Sequence, residues 1–124
     1  MAEFLVAHLS DLKMGSMIDV QAGDRSIVLF RDEQGAVFAL DDCCSHAEVQ
    51  LSGGSFADGI VECPAHGAKF DVRTGRPLCM PAVAPVQSFV VRVVDNPAVF
   101  RPPIQEALLF KEQHIIFIYR TVTF

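Results

Sequence analysis

Two short segments, each holding one cysteine and one histidine, restrict this chain more than anything else in it. Cys44-Ser45-His46 is followed after sixteen residues by Cys63-Pro64-Ala65-His66-Gly67, a pattern of C-x-H-x16-C-x2-H. Segments that share one centre have to meet, so the fold must supply two loops that converge. Tetrahedral zinc sites usually pair Cys with Cys at one end and His with His at the other. Here each arm is mixed. That suits an asymmetric two-iron cluster, with two thiolates on one iron and two imidazoles on the other. Zinc, another metal, or four unrelated structural residues stay open on spacing alone.

The elements around these segments read as strands. Residues 4–6, 17–21, 27–30 and 37–40 are rich in branched and aromatic side chains, and Gly23-Asp24 and Asp32-Glu33-Gln34-Gly35 separate them with turn chemistry. Residues 59–62 and 68–71 are very short strands. Arg73-Thr74-Gly75-Arg76 is a turn, Pro77, Pro81 and Pro85 mark a loop, and 86–94 is a strong strand. Asp95-Asn96-Pro97 turns the chain so that 98–101 can pair back. Ile104, Leu108 and Lys111 lie near helical spacing within 104–113, and 114–124 reads as a strand. No internal repeat is present. Strands this short and this regularly punctuated predict an all-β fold, a small antiparallel sandwich or barrel.

Length and charge narrow the function. A chain of 124 residues fits one domain, and 51% hydrophobic with 20% charged residues excludes a disordered one. The net charge of -5 has the wrong sign for nucleic acid or an anionic membrane, and a basic or dipolar protein partner is expected instead. Up to Phe100 the acids outnumber the bases 13 to 7. No apolar run approaches the roughly 18 residues of a membrane span. Glu3 stands where a signal peptide wants bases, so a cytoplasmic protein is expected. Four cysteines without an export signal point to metal or redox chemistry before disulfides.

The two Cys/His loops, followed by Phe70-Asp71-Val72-Arg73-Thr74-Gly75 and Leu78-Cys79-Met80-Pro81-Ala82, resemble those of Rieske-type [2Fe-2S] ferredoxins that serve bacterial aromatic-ring-hydroxylating dioxygenases. The resemblance runs over residues 1–101, with the cluster loops in about 43–82. It implies an antiparallel β-sandwich or barrel with a two-loop cluster-binding subdomain and one [2Fe-2S] cluster per chain. It further implies that Cys44 and Cys63 hold the inner iron and His46 and His66 the outer one, with Pro64, Gly67 and Pro81 shaping the surroundings. By the same resemblance the chain is a monomeric one-electron carrier between a ferredoxin reductase and a terminal oxygenase, and not itself an enzyme. The alternative is the small Rieske subunit of a nitrite-reductase-like oxidoreductase. Residues 102–124 fall outside the resemblance and read as a packed helix and strand, an added docking surface, or an extension with little function.

Departures from the respiratory branch of that family set a further expectation. Val49 and Ala65 occupy the positions of its two disulfide cysteines, and Ala68 and Phe70 those of its Ser and Tyr hydroxyls. Fewer hydrogen bonds to the cluster sulfurs predict a potential low in the Rieske range. Cys43 reads as a small neighbour of the ligand, and Cys79 as a filler beneath the proline loop. His8 and His114 fit no ligand spacing. Asp41, Asp42, Glu48, Asp58 and Glu62 read as solvated acids or a docking rim. Val49, Leu51, Met80 and Pro81 are candidates for shielding the cluster from water.

Overall fold

The computed structural model describes residues 2–45, 48–65, 67–80, 84–95 and 114–120. Nine strands are seen among them: β1 (Ala2–His8), β2 (Ser16–Ala22), β3 (Arg25–Arg31), β4 (Val37–Asp41), β5 (Ser55–Ala57), β6 (Ile60–Glu62), β7 (Lys69–Asp71), β8 (Ser88–Asp95) and β9 (His114–Arg120). Single-turn 3-10 helices at Leu9–Asp11 and Leu51–Gly53 interrupt the series. Every pairing is antiparallel, and the fold is all-β as the strand pattern predicted. Six strands form one sheet in the order β1-β9-β8-β4-β3-β2, curled into a nearly closed barrel, and β5-β6-β7 form a second, small sheet.

Burial along β3 explains how the two sheets fit together. Ile27, Val28, Leu29 and Phe30 are all buried. Successive side chains on a strand face opposite ways. Ile27 and Leu29 therefore enter the barrel core with Ala39, Phe89, Ile116 and Ile118. Val28 and Phe30 enter a second core with Leu40, Leu51, Val61, Phe70 and Val86. A strand that is apolar on both faces needs cover on both. The small sheet side supplies the outer cover, where Phe30 meets Phe56 with ring centroids 4.9 Å apart.

The sequence pattern gives no strand at β5, yet β5 pairs with β6 across Asp58-Gly59. Asp58 (φ 53°) and Gly59 (φ 75°) both have left-handed backbone, as a two-residue type I′ hairpin requires. β9 occupies much of the strand expected at 114–124 and lies between β1 and β8. The strand expected at 98–101 and the helical spacing at 104–113 lie outside the described residues. Among the described residues no helix is long and apolar enough to cross a membrane.

The Asp41 N–H donates to the Gln87 carbonyl at 2.9 Å, so the loop after β4 and the loop before β8 leave the barrel at one end. Gly75 secures the start of the latter. Its φ is +80°, its N–H donates to the Asp71 carbonyl at 2.7 Å, and its own carbonyl accepts from Val86 N–H at 2.8 Å. A Cβ at this position would run into the Val86 carbonyl. Gly75→Ala adds that clash to the cost of left-handed backbone, and is expected to lower stability by about 2–4 kcal/mol. Urea unfolding should show a lower midpoint with an unchanged slope.

Candidate metal centre

The first loop follows β4 and closes where Cys44 N–H donates to the Val49 carbonyl at 2.9 Å. The second joins β6 to β7, closing just past the Glu62–Lys69 pair where Cys63 N–H donates to the Ala68 carbonyl at 2.7 Å. Gly67, in this second loop, has φ +72°. Two tight loops thus each present a cysteine at their first residue.

Cys44 and Cys63 are 3% and 1% exposed and lie in the same apolar core. Burial pushes the Cys63 thiol pKa up, the Ala65 N–H works against that rise, and the neighbouring Cys44 adds to it. The Ala65 N–H reaches Cys63 Sγ at 3.4 Å. Two adjacent sulfurs that lose their protons to a bound cation gain the charge partner that the pocket lacks. The donor set therefore fits a metal group with thiolates on its inner side.

Cys43 is exposed, with its Sγ directed at the Cys44 carbonyl at 3.7 Å. Partial burial, then the carboxylates of Asp41 and Glu48, raise its thiol pKa. His46, His66 and Pro81 lie outside the described residues. Of the four residues expected to hold iron, the structure brings together Cys44 and Cys63.

Ala68 and Phe70 are fully buried, and Leu51 is too. Val49 and Ala65 pack against the same core. Two expectations change. Cys79 is exposed, its thiol 3.8 Å from the Gly67 carbonyl, because Phe70, Val72 and Val86 already fill the core on that side. Asp42 is only 4% exposed and so belongs to no surface rim. A cleft of about 490 Å³, lined by Asp32, Phe38, Phe56, Asp58 and Arg73 among others, contains neither buried cysteine.

A family model described as the Rieske [2Fe-2S] domain matches residues 2–90. The chain belongs to the Rieske [2Fe-2S] domain family. The cofactor of a Rieske domain is one [2Fe-2S] cluster per chain. The anthranilate 1,2-dioxygenase ferredoxin subunit of Burkholderia cepacia is 46% identical over 77 residues, which are 60% of this chain and 68% of that one. The biphenyl 2,3-dioxygenase ferredoxin component of Rhodococcus jostii is 40% identical over 93 residues, or 75% and 86% of the two chains. Among solved structures, a complex of reduced oxygenase and oxidized ferredoxin in carbazole 1,9a-dioxygenase superposes with a TM-score of 0.67 at 31% identity, covering 73% of this chain and 93% of that one. This Rieske protein is an electron-transfer component and not an enzyme in its own right.

Proposed function

We propose that this chain is the ferredoxin of an aromatic-ring-hydroxylating dioxygenase system, a monomer in the cytoplasm that accepts one electron from a ferredoxin reductase and delivers it to the terminal oxygenase. The adjacent buried thiols of Cys44 and Cys63, on two loops that meet in one core, carry this reading. Relatives that serve anthranilate and biphenyl dioxygenases support it, as does the related ferredoxin bound to its oxygenase. In this reading Cys44 and Cys63 hold the inner iron, His46 and His66 the outer one, and Pro64, Gly67 and Pro81 shape the loops around them. The cluster supplies one-electron oxidation and reduction when bound.

The residues set how readily that electron is taken up. Each imidazole in place of a thiolate removes one negative charge and eases reduction. The Ala65 N–H draws charge from Cys63 Sγ and acts in the same direction. Ala68 and Phe70, fully buried, offer no hydroxyl, which holds the potential back. Leu78, 50% exposed, and Met80 extend from the segment whose Leu78 N–H donates to the Lys69 carbonyl just after the second loop. They offer a partner a small apolar contact beside the metal centre, suited to brief association.

Iron and acid-labile sulfide analysis of the purified protein should give two of each per chain. Reduction should produce the rhombic electron paramagnetic resonance signal of a cluster with mixed ligands, at a potential in the lower part of the roughly -150 to +300 mV Rieske range. A colourless protein that binds zinc alone would end this reading, and a potential well above about 0 mV would remove the argument from Ala68 and Phe70.

A further inference from the structure

Asp42 is the one charged side chain buried among the described residues. A carboxylate taken out of water costs several kcal/mol unless donors surround it. Its donors come from the far side of the first loop. Ser52 N–H donates to Oδ1 at 2.8 Å, Ser52 Oγ donates to Oδ2 at 2.7 Å, and Gln50 Nε2 donates to Oδ2 at 3.3 Å. The Asp42 N–H is anchored in turn on the Ser26 carbonyl of β3 at 3.0 Å. Among the described residues no lysine or arginine forms an ion pair with Asp42. The chain between Asp42 and Ser52 contains both Cys44 and His46. Its two ends are therefore tied together by a buried charge that is satisfied only while the loop is closed.

We infer that Asp42 is a positioning residue for the metal centre: its carboxylate clamps Gln50 and Ser52 and fixes the span of the first loop, which begins two residues before Cys44. The inference rests on the assignment of Cys44 as a ligand but not on any contact with the cluster. Asp42 stands two residues before Cys44, so replacing its carboxylate by a neutral amide also changes the charge close to the centre. Charge and clamp act through different observables, and this makes the role separable from a general contribution to folding.

The experiment uses the full purified chain and compares wild type with Asp42→Asn and the milder Ser52→Ala. Amide hydrogen exchange, read by mass spectrometry on peptides spanning 43–49, should accelerate at least about ten-fold in both variants while peptides from β3 keep their protection. The midpoint potential of Asp42→Asn should rise, because a fixed negative charge has been removed. Unchanged exchange in the loop, equal acceleration in the loop and in β3, or an unmoved potential would each overturn the inference. Should Asp42→Asn fail to fold, Ser52→Ala decides it by exchange alone. A wild-type chain without iron would defeat the proposed function instead, and the exchange ratio would still settle whether Asp42 clamps the loop.

Discussion

Ending the chain at Arg101 is expected to abolish cooperative folding, because that cut removes β9 from between β1 and β8. β9 pairs on both sides: Ile118 lies opposite Phe4 on β1 and Val91 on β8, and Ile116 lies opposite Ala7 and Val93. Ile116 and Ile118 are fully buried in the barrel core with Ile27, Leu29 and Phe89. Truncating one buried isoleucine to alanine typically costs about 2–5 kcal/mol. Losing two whole side chains together with two ladders of hydrogen bonds approaches the roughly 5–15 kcal/mol by which a domain is stable at all. The cut would also leave β1 without the neighbour it pairs with and open new edges on β1 and β8, which invites aggregation. Ile118→Ala alone should leave the fold in place but lower its stability by about 2–5 kcal/mol. Far-ultraviolet circular dichroism and urea unfolding measure both. A truncated chain that unfolds at the wild-type midpoint would show that β9 contributes nothing.

The strand content of the barrel was legible because each strand carries its own signal. Ile27 to Phe30 is apolar throughout since both faces of β3 are covered, and Asp32 to Gly35 ends it with turn chemistry. Three-residue β5 escaped detection, since Ser55, Phe56 and Ala57 are too few to set a period; the Asp58-Gly59 pair after them was the signal that could have revealed it. That β9 is a strand could be read from its apolar run, but its place between the first and eighth strands could not. Nothing local in β1 or β8 encodes a partner that begins nineteen residues beyond β8 and more than a hundred beyond β1. At the metal centre the spacing selects Cys44 over Cys43 as the expected ligand, and the two differ in place, with Cys44 inside the core and Cys43 outside it. Asp42 escaped for the opposite reason to β5. Acids near loops are normally solvated, and only the three donors on Gln50 and Ser52 make this one tolerable inside.

Cys63→Ser should empty the metal centre, whereas Cys43→Ser should leave it full. Serine is nearly the same shape as cysteine, so the substitution at 63 keeps the packing against Val61, Ala68 and Phe70 and can still accept from the Ala65 N–H. What it loses is the soft, ionisable sulfur: a serine hydroxyl does not ionise in an apolar site that is 1% exposed, and a neutral oxygen offers iron neither charge nor covalency. Altering residues that merely support metal ligands already costs about 10–100-fold in affinity, so loss of a ligand should lower bound iron and sulfide by at least that much. The visible bands and the resonance signal should vanish with them while circular dichroism still reports strands. Cys43 stands apart because its thiol lies outside the core, and a surface substitution of this kind changes stability by only about 0.5 kcal/mol. Its spectrum and iron content should match wild type. The reverse outcome, iron lost at Cys43→Ser and kept at Cys63→Ser, would mean that the buried thiol pair packs the core and that the metal sits outside it, on the exposed side of the first loop.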